Sequence, residues 1–305
     1  MADGTTTGSR TSTASRAAAR RRLTRHYERW LAFLGLLLIS VGFVLPFVWM
    51  LSTSLKTLDK TMELPPHLIP HPVVFRNYGT VLQRDELNFP LLTHNTLVVS
   101  ILSVIGTTLS SAIPAYGFAK IRFKGRGALF GIMLATMMVP FPVMMVPLFS
   151  IFRWIGDYTP LQMLGTLRPL WIPAWLGSAF NIFLLRQFFL TIPDELCEAA
   201  QLDGCSEWRI FRQIVLPLAR PALAVVALFT FMGTWNDFLG PLVYIQDRQQ
   251  YTLSLGLQAF QSQHGGTEWN LLMAASVMVI LPVIVLFFLA QRTFIEGIAT
   301  TGVKG

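Results

Sequence analysis

Residues 191–221 read TIPDELCEAAQLDGCSEWRIFRQIVLPLARP, the longest polar stretch in the second half of the chain, and long apolar runs flank it on both sides. Two short helices fit it. Pro193 suits a first helical turn, where its missing N–H costs nothing, and Asp194, Glu195 and Glu198 place negative charge near the positive end of that helix. Gly204 stands where a C-terminal glycine closes a helix. Ser206 can cap a second helix that runs through Phe211 or Ile214 and ends at Pro217. A helix of about nine residues is only about 14 Å long, against a bilayer core about 30 Å thick. Neither helix can span it, so the stretch reads as a structured polar elbow between two membrane segments.

The spacing Glu198-Ala199-Ala200, two residues, Asp203-Gly204, then Ile214, Leu216-Pro217 and Pro221 resembles the EAA loop of the membrane subunits of ABC importers. The resemblance implies that the loop is cytoplasmic and forms a coupling helix docked in a cleft of an ATPase subunit. It assigns that contact to Glu198, Ala199, Ala200, Asp203, Gly204, Phe211 and Pro217.

Working outward, the chain of 305 residues is 53% hydrophobic and 13% charged, where a soluble domain carries about 25% charged residues. The net charge of +8 would suit a nucleic-acid partner, but its placement points elsewhere. Seven arginines precede Trp30, and Lys120, Arg122, Lys124 and Arg126 crowd one short loop. Both clusters abut apolar runs, as cytoplasmic anchors do. Apolar runs over about 31–51, 93–119, 128–149, 169–190, 222–239 and 270–290 predict an all-α protein of six transmembrane helices. Residues 1–28 read as a disordered basic tail, and 29–305 as the membrane domain. With both termini and the elbow inside, Lys and Arg number 17 on the inner side and 7 on the outer, together the 24 in the chain. That orientation obeys the positive-inside rule and the inverse violates it.

Inside the spans, Thr96, Ser100, Ser103, Thr107 and Ser111 recur at steps of four, three, four and four, which puts them on one helical face. Such a face serves either close packing by small residues or the wall of a polar substrate pathway. Asn236 and Asp237, at the outer end of the fifth span, are either an interfacial anchor or part of the same pathway. The run Val139–Pro147 carries three prolines and predicts a break in the third span. Pro114 and Gly117 predict a kink in the second.

No G-x-x-x-x-G-K-[ST] phosphate loop and no H-E-x-x-H occur. No nucleophile, base and orienter stand together, so no catalytic, metal or cofactor residue is assigned. Cys197 and Cys205 are too few for a metal site. Mid-membrane ionisable residues, which a proton- or sodium-coupled carrier needs, are nearly missing.

Further matches extend the resemblance from about Leu31 to Gly305. Phe75-Arg76-Asn77-Tyr78 resembles an extracytoplasmic loop, and Trp235-Asn236-Asp237 a membrane segment, of sugar-importer permeases. The closing Gly302-Val303-Lys304-Gly305 resembles the end of the maltose-type permease subunit, which implies a C-terminal contact with the ATPase. The resemblance as a whole implies a permease subunit of an ABC importer for a sugar or oligosaccharide, in a bacterial or archaeal cell membrane. Its partners would be a second permease, two ATPase subunits that bind ATP and magnesium, and an external solute-binding protein. The alternatives are a non-sugar solute such as glycerol-phosphate, a secondary carrier without an ATPase, and a structural membrane protein.

Overall fold

The computed structural model describes residues 8–84, 88–258, 260–261 and 266–301, with side chains described between Glu28 and Gln291. Among the described residues every regular element is a helix. In chain order they are α1 (Gly8–Ser54), α2 (Arg76–Gln83), α3 (Phe89–Lys120), α4 (Arg126–Thr136), α5 (Phe141–Tyr158) and α6 (Arg168–Trp171). Then follow α7 (Ala179–Phe189), α8 (Asp194–Leu202), α9 (Glu207–Ile210), α10 (Leu216–Leu218), α11 (Arg220–Trp235), α12 (Leu239–Tyr244), α13 (Leu253–Gln258) and α14 (Trp269–Thr301).

Three helices are long and apolar enough to cross a bilayer alone: Glu28–Ser54 within α1, all of α3, and Trp269–Gln291 within α14. Three sharply bent pairs bring the number to six if each counts as one crossing. The chain is a multi-pass membrane protein. α3 is its centre, packed against α7 and α11, while α1 lies against α14 at the edge. Two apolar clusters sit at opposite ends of α3. One joins Tyr116 and Ala119 to α7, the elbow and the start of α11. The other joins Phe89 and Leu92 to Val81, Trp235, Leu253 and the start of α14.

The breaks differ from those the sequence predicts. α1 begins at Gly8, within the stretch 1–28 expected as a disordered tail. Ala17, Ala18, Ala19 and the neighbouring arginines are strong helix formers, and they extend a helix already nucleated by the apolar span. The third crossing breaks only at 137–140, bends by 95° and resumes as α5. Pro142 falls in the first turn of α5 and costs no hydrogen bond there, and Pro147 is carried inside the helix. The fourth crossing, expected as one helix over 169–190, is α6, a 3-10 turn over Ile172–Leu176, a break and α7. The break falls at Gly177, whose φ of +89° favours a residue without Cβ. α11 ends at Trp235, so Asn236 and Asp237 lie beyond the fifth helix rather than in it. α3 runs as one continuous helix through Pro114.

Candidate coupling elbow

The elbow is a helical hairpin hung from two bent joints. α7 turns into α8 through 78°, and the stretch Glu207–Leu218 turns into α11 through 77°. α8 covers Asp194–Leu202 with Pro193 just before it and both first-turn acids in place. Its C-terminus closes in a Schellman turn: Cys205 N–H donates to Ala200 C=O at 2.9 Å and Gly204 N–H to Gln201 C=O at 3.0 Å. Gly204 supplies the left-handed φ of +80° that this turn requires. The second arm is one helical stretch from Glu207 to Leu218 with a π turn over Phe211–Val215. The widened turn lies directly before Pro217, where a missing donor must be accommodated. The arm therefore continues past Pro217 and stops at Ala219.

Burial divides the elbow into two faces. Cys197, Ala200, Ile210, Phe211 and Val215 are in the core with the end of α3. Glu198, Ala199, Asp203 and Pro217 are exposed. Leu202 at the tip is 91% exposed and Trp208 on the second arm 59%. The two alanines of the motif thus do different things: Ala200 faces the bundle and Ala199 faces away. Phe211 is a core residue, with Tyr116 at 5.1 Å and Trp208 at 5.4 Å between ring centres.

Side chains from α3 pin the elbow down. Lys120 Nζ donates to the Ile192 carbonyl at 2.5 Å and to Asp194 Oδ1 at 2.6 Å. The Tyr116 hydroxyl donates to Glu207 Oε2 at 2.6 Å, and Gln201 Nε2 donates to Glu207 Oε1 at 2.8 Å. Lys120 holds the Asp194 carboxyl below its ordinary pKa, by hydrogen bond first and charge second. Burial pushes the Cys197 thiol up. Sequence reasoning missed Tyr116, Lys120, Glu207 and Leu202. Lys120 was visible only as one of four basic residues in a short loop, and nothing in the spacing singled it out.

The polar face of α3 is packed inside the chain. Thr96, Ser100, Ser103, Thr107 and Ser111 are all buried within the chain's own packing. Several of their neighbours serve broken backbone alongside. Thr96 Oγ1 accepts from Leu253 N–H at 2.8 Å, where α13 begins. Asn95 Nδ2 donates to the carbonyls of Gln249 and Tyr251. Ser110 Oγ donates to Ala174 C=O and Ser111 Oγ accepts from Ser178 N–H, on either side of the break before α7. Inside a bilayer no water can satisfy such groups, so a neighbouring side chain must. Thr96 and Ser111 satisfy backbone N–H groups of neighbouring elements, whereas Ser100 Oγ and Ser103 Oγ, buried on the same face, meet no hydrogen-bond partner among the described residues. Asn236 is exposed and donates to Met232 C=O, and Asp237 accepts from Gly240 N–H at 3.1 Å. Both finish helix ends. The closing residues Gly302–Gly305 lie outside the described residues.

Residues 106–299 match the family model of the binding-protein-dependent transport system inner membrane component. The chain belongs to this family. The match takes in the C-terminal part of α3, the whole elbow and α14 up to residue 299. The permease is 33% identical to the arabinooligosaccharides transport system permease protein AraQ of Halalkalibacterium halodurans, over 93% of this chain and all of that one. It is 30% identical to the trehalose/maltose transport system permease protein MalG of Thermococcus litoralis, over 91% and 98%. Its fold matches, with a TM-score of 0.74, a chain in the crystal structure of a bacterial ABC transporter that imports the acidic polysaccharide alginate. That chain is 23% identical, and the match covers 95% of this permease and 99% of the other.

Proposed function

We propose that this permease forms half of the translocation pathway of an ATP-driven importer for a sugar or oligosaccharide. The observation that carries the reading is the elbow: a short helix ended by a Schellman turn, one face locked into the bundle, the other presenting Glu198, Ala199, Leu202 and Asp203 to solvent. A rigid, exposed knob with an apolar tip is shaped for a cleft on another subunit. The ATPase subunits supply that cleft and hydrolyse the ATP; this chain carries no phosphate loop and acts as the moving partner, not as an enzyme. A second permease completes the pathway, and an external solute-binding protein delivers the sugar. ATP closes the ATPase dimer, draws the elbows together and reopens the spans on the opposite side. The charge distribution supports a cell-membrane orientation with elbow and both termini in the cytoplasm. The last four residues, Gly302–Gly305, reach the ATPase as well. The sugar assignment rests on the solutes of the two relatives named above.

The test is co-expression with the neighbouring permease and ATPase genes, followed by affinity capture of this chain. ATPase subunits should be retained, and Leu202→Asp should release them. A thermal-shift screen of the cognate solute-binding protein against sugars and glycerol-phosphate then settles the solute. A shift with glycerol-phosphate alone would overturn the sugar assignment and leave the importer assignment standing.

A further inference from the structure

The elbow is covalently joined only to α7 and α11, and both joints are bent. Besides its apolar packing on all three helices, side-chain hydrogen bonds tie it to a third, α3. Lys120, the last residue of α3, spans the first joint, binding the Ile192 carbonyl within it and Asp194 just beyond it. Tyr116 lies one turn earlier on the same face and binds Glu207 at the start of the second arm. Glu207 also accepts from Gln201, which closes the two arms on each other. Lys120 is a buried cation, with a side chain only 4% exposed. Such a group is held firmly where it is paired, because leaving it unpaired in the interior is costly.

We propose that α3 steers the elbow: Lys120 and Tyr116 are positioning residues that carry its displacement into the central helix of the bundle. This rests on the elbow being the ATPase-docking element. Through α3 the displacement reaches α7 and α11 along their length and the far end of the bundle, where Thr96 and Asn95 hold the segment before α13. Without the two contacts the elbow would move on its joints while α3 stayed behind.

The experiment needs no knowledge of the solute. Leu109, on α3, is 54% exposed. Leu109→Cys is labelled with an environment-sensitive fluorophore in the full complex, with Cys197 and Cys205 replaced by alanine. Fluorescence is compared before and after nucleotide trapping with ATP and vanadate. The parent should show a clear change. Lys120→Met combined with Tyr116→Phe should trap nucleotide as before yet keep less than a fifth of that change, and Lys120→Arg should retain most of it. A full signal in the double variant would overturn the proposal, and so would no signal in the parent. Release of the ATPase subunits from the double variant would also overturn it, since the contacts would then merely hold the elbow's shape. A parent chain that never binds ATPase subunits would instead sink the docking assignment.

Discussion

A Cβ added to Gly106 would lie 2.4 Å from Cδ1 of Trp175. The middle of α3 therefore meets the 3-10 turn before the break in the fourth crossing with backbone against indole, and only glycine leaves room. Gly106→Ala forces the indole or the helix aside, at about 1–3 kcal/mol. Gly117→Ala on the same helix meets nothing within 4 Å and should be neutral. Thermal unfolding of the purified permease should show a lower midpoint for the first and an unchanged one for the second. Equal midpoints would mean that the indole has another place to go.

Cysteine labelling distinguishes the polar face of α3 from a water-filled wall. In a background without Cys197 and Cys205, Ser100→Cys and Ser103→Cys should resist a small polar thiol reagent, because both positions are fully buried. Asn236→Cys is exposed and should label several-fold faster. Rapid labelling at 100 and 103 would favour the pathway reading.

The elbow's two faces should fail in different ways. Ala200→Leu adds three carbons to a packed site and should destabilise the fold by about 1–3 kcal/mol, read as reduced membrane level. Ala199→Leu faces away and should leave the level unchanged. Gly204→Val forces a β-branched residue into the left-handed region at about 1–3 kcal/mol. Its Cβ meets no neighbour, so the damage stays local and re-aims the second arm. Uptake should be lost in Gly204→Val and in Glu198→Arg with the spans intact. Normal uptake in both would remove the elbow from coupling.

The Lys120–Asp194 pair has a defined pH window. The folded carboxyl titrates below its ordinary 3.8, so its contribution is present above that value and is lost only as pH falls through the lowered one. Between about pH 5 and 8 the Asp194 carboxylate stays charged, and the ratio of solute taken up to ATP hydrolysed should not fall toward the acid end of that range. Asp194→Asn should lower the ratio at every pH in it. A ratio that falls in step with pH from 7 to 5 in the parent would show that another group controls coupling.

The two cysteines should separate by reactivity. Burial raises the Cys197 thiol, and the thiolate is the reacting form. Cys205 is partly exposed. Alkylation at pH 8 followed by mass spectrometry should modify Cys205 well before Cys197 in the folded permease and both alike in denaturant. Equal rates in the folded state would mean that α8 is not seated on the bundle.

Six crossings, the elbow, its closing glycine and the broken third span were legible in the sequence, because each depends on hydropathy or on a residue with a strong backbone preference. Pro193, Gly204 and the run of prolines around Pro140 act through their own backbone and announce themselves. The break at Gly177 was hidden inside an apolar run of normal length, since hydropathy does not distinguish a helix from a 3-10 turn beside it. The polar face of α3 was visible as periodicity, but its use was not. Whether Thr96 faces water or the N–H of Leu253 depends on a residue 157 positions away. Lys120 and Glu207 posed the same difficulty, as their partners lie on other elements.

The polar groups of α3 answer to fixed points outside it. Asn95 and Thr96 meet the segment before α13, and Ser110 and Ser111 meet the break before α7. Deleting one residue between these pairs would rotate one pair by about 100° and slide it about 1.5 Å relative to the other. No rotamer change restores both. The separation of the two pairs works as a gauge length cut to the distance between two defects in neighbouring helices. The chain can lose any one of these side chains at the cost of a hydrogen bond, whereas a change in the number of residues between them would unseat two crossings at once.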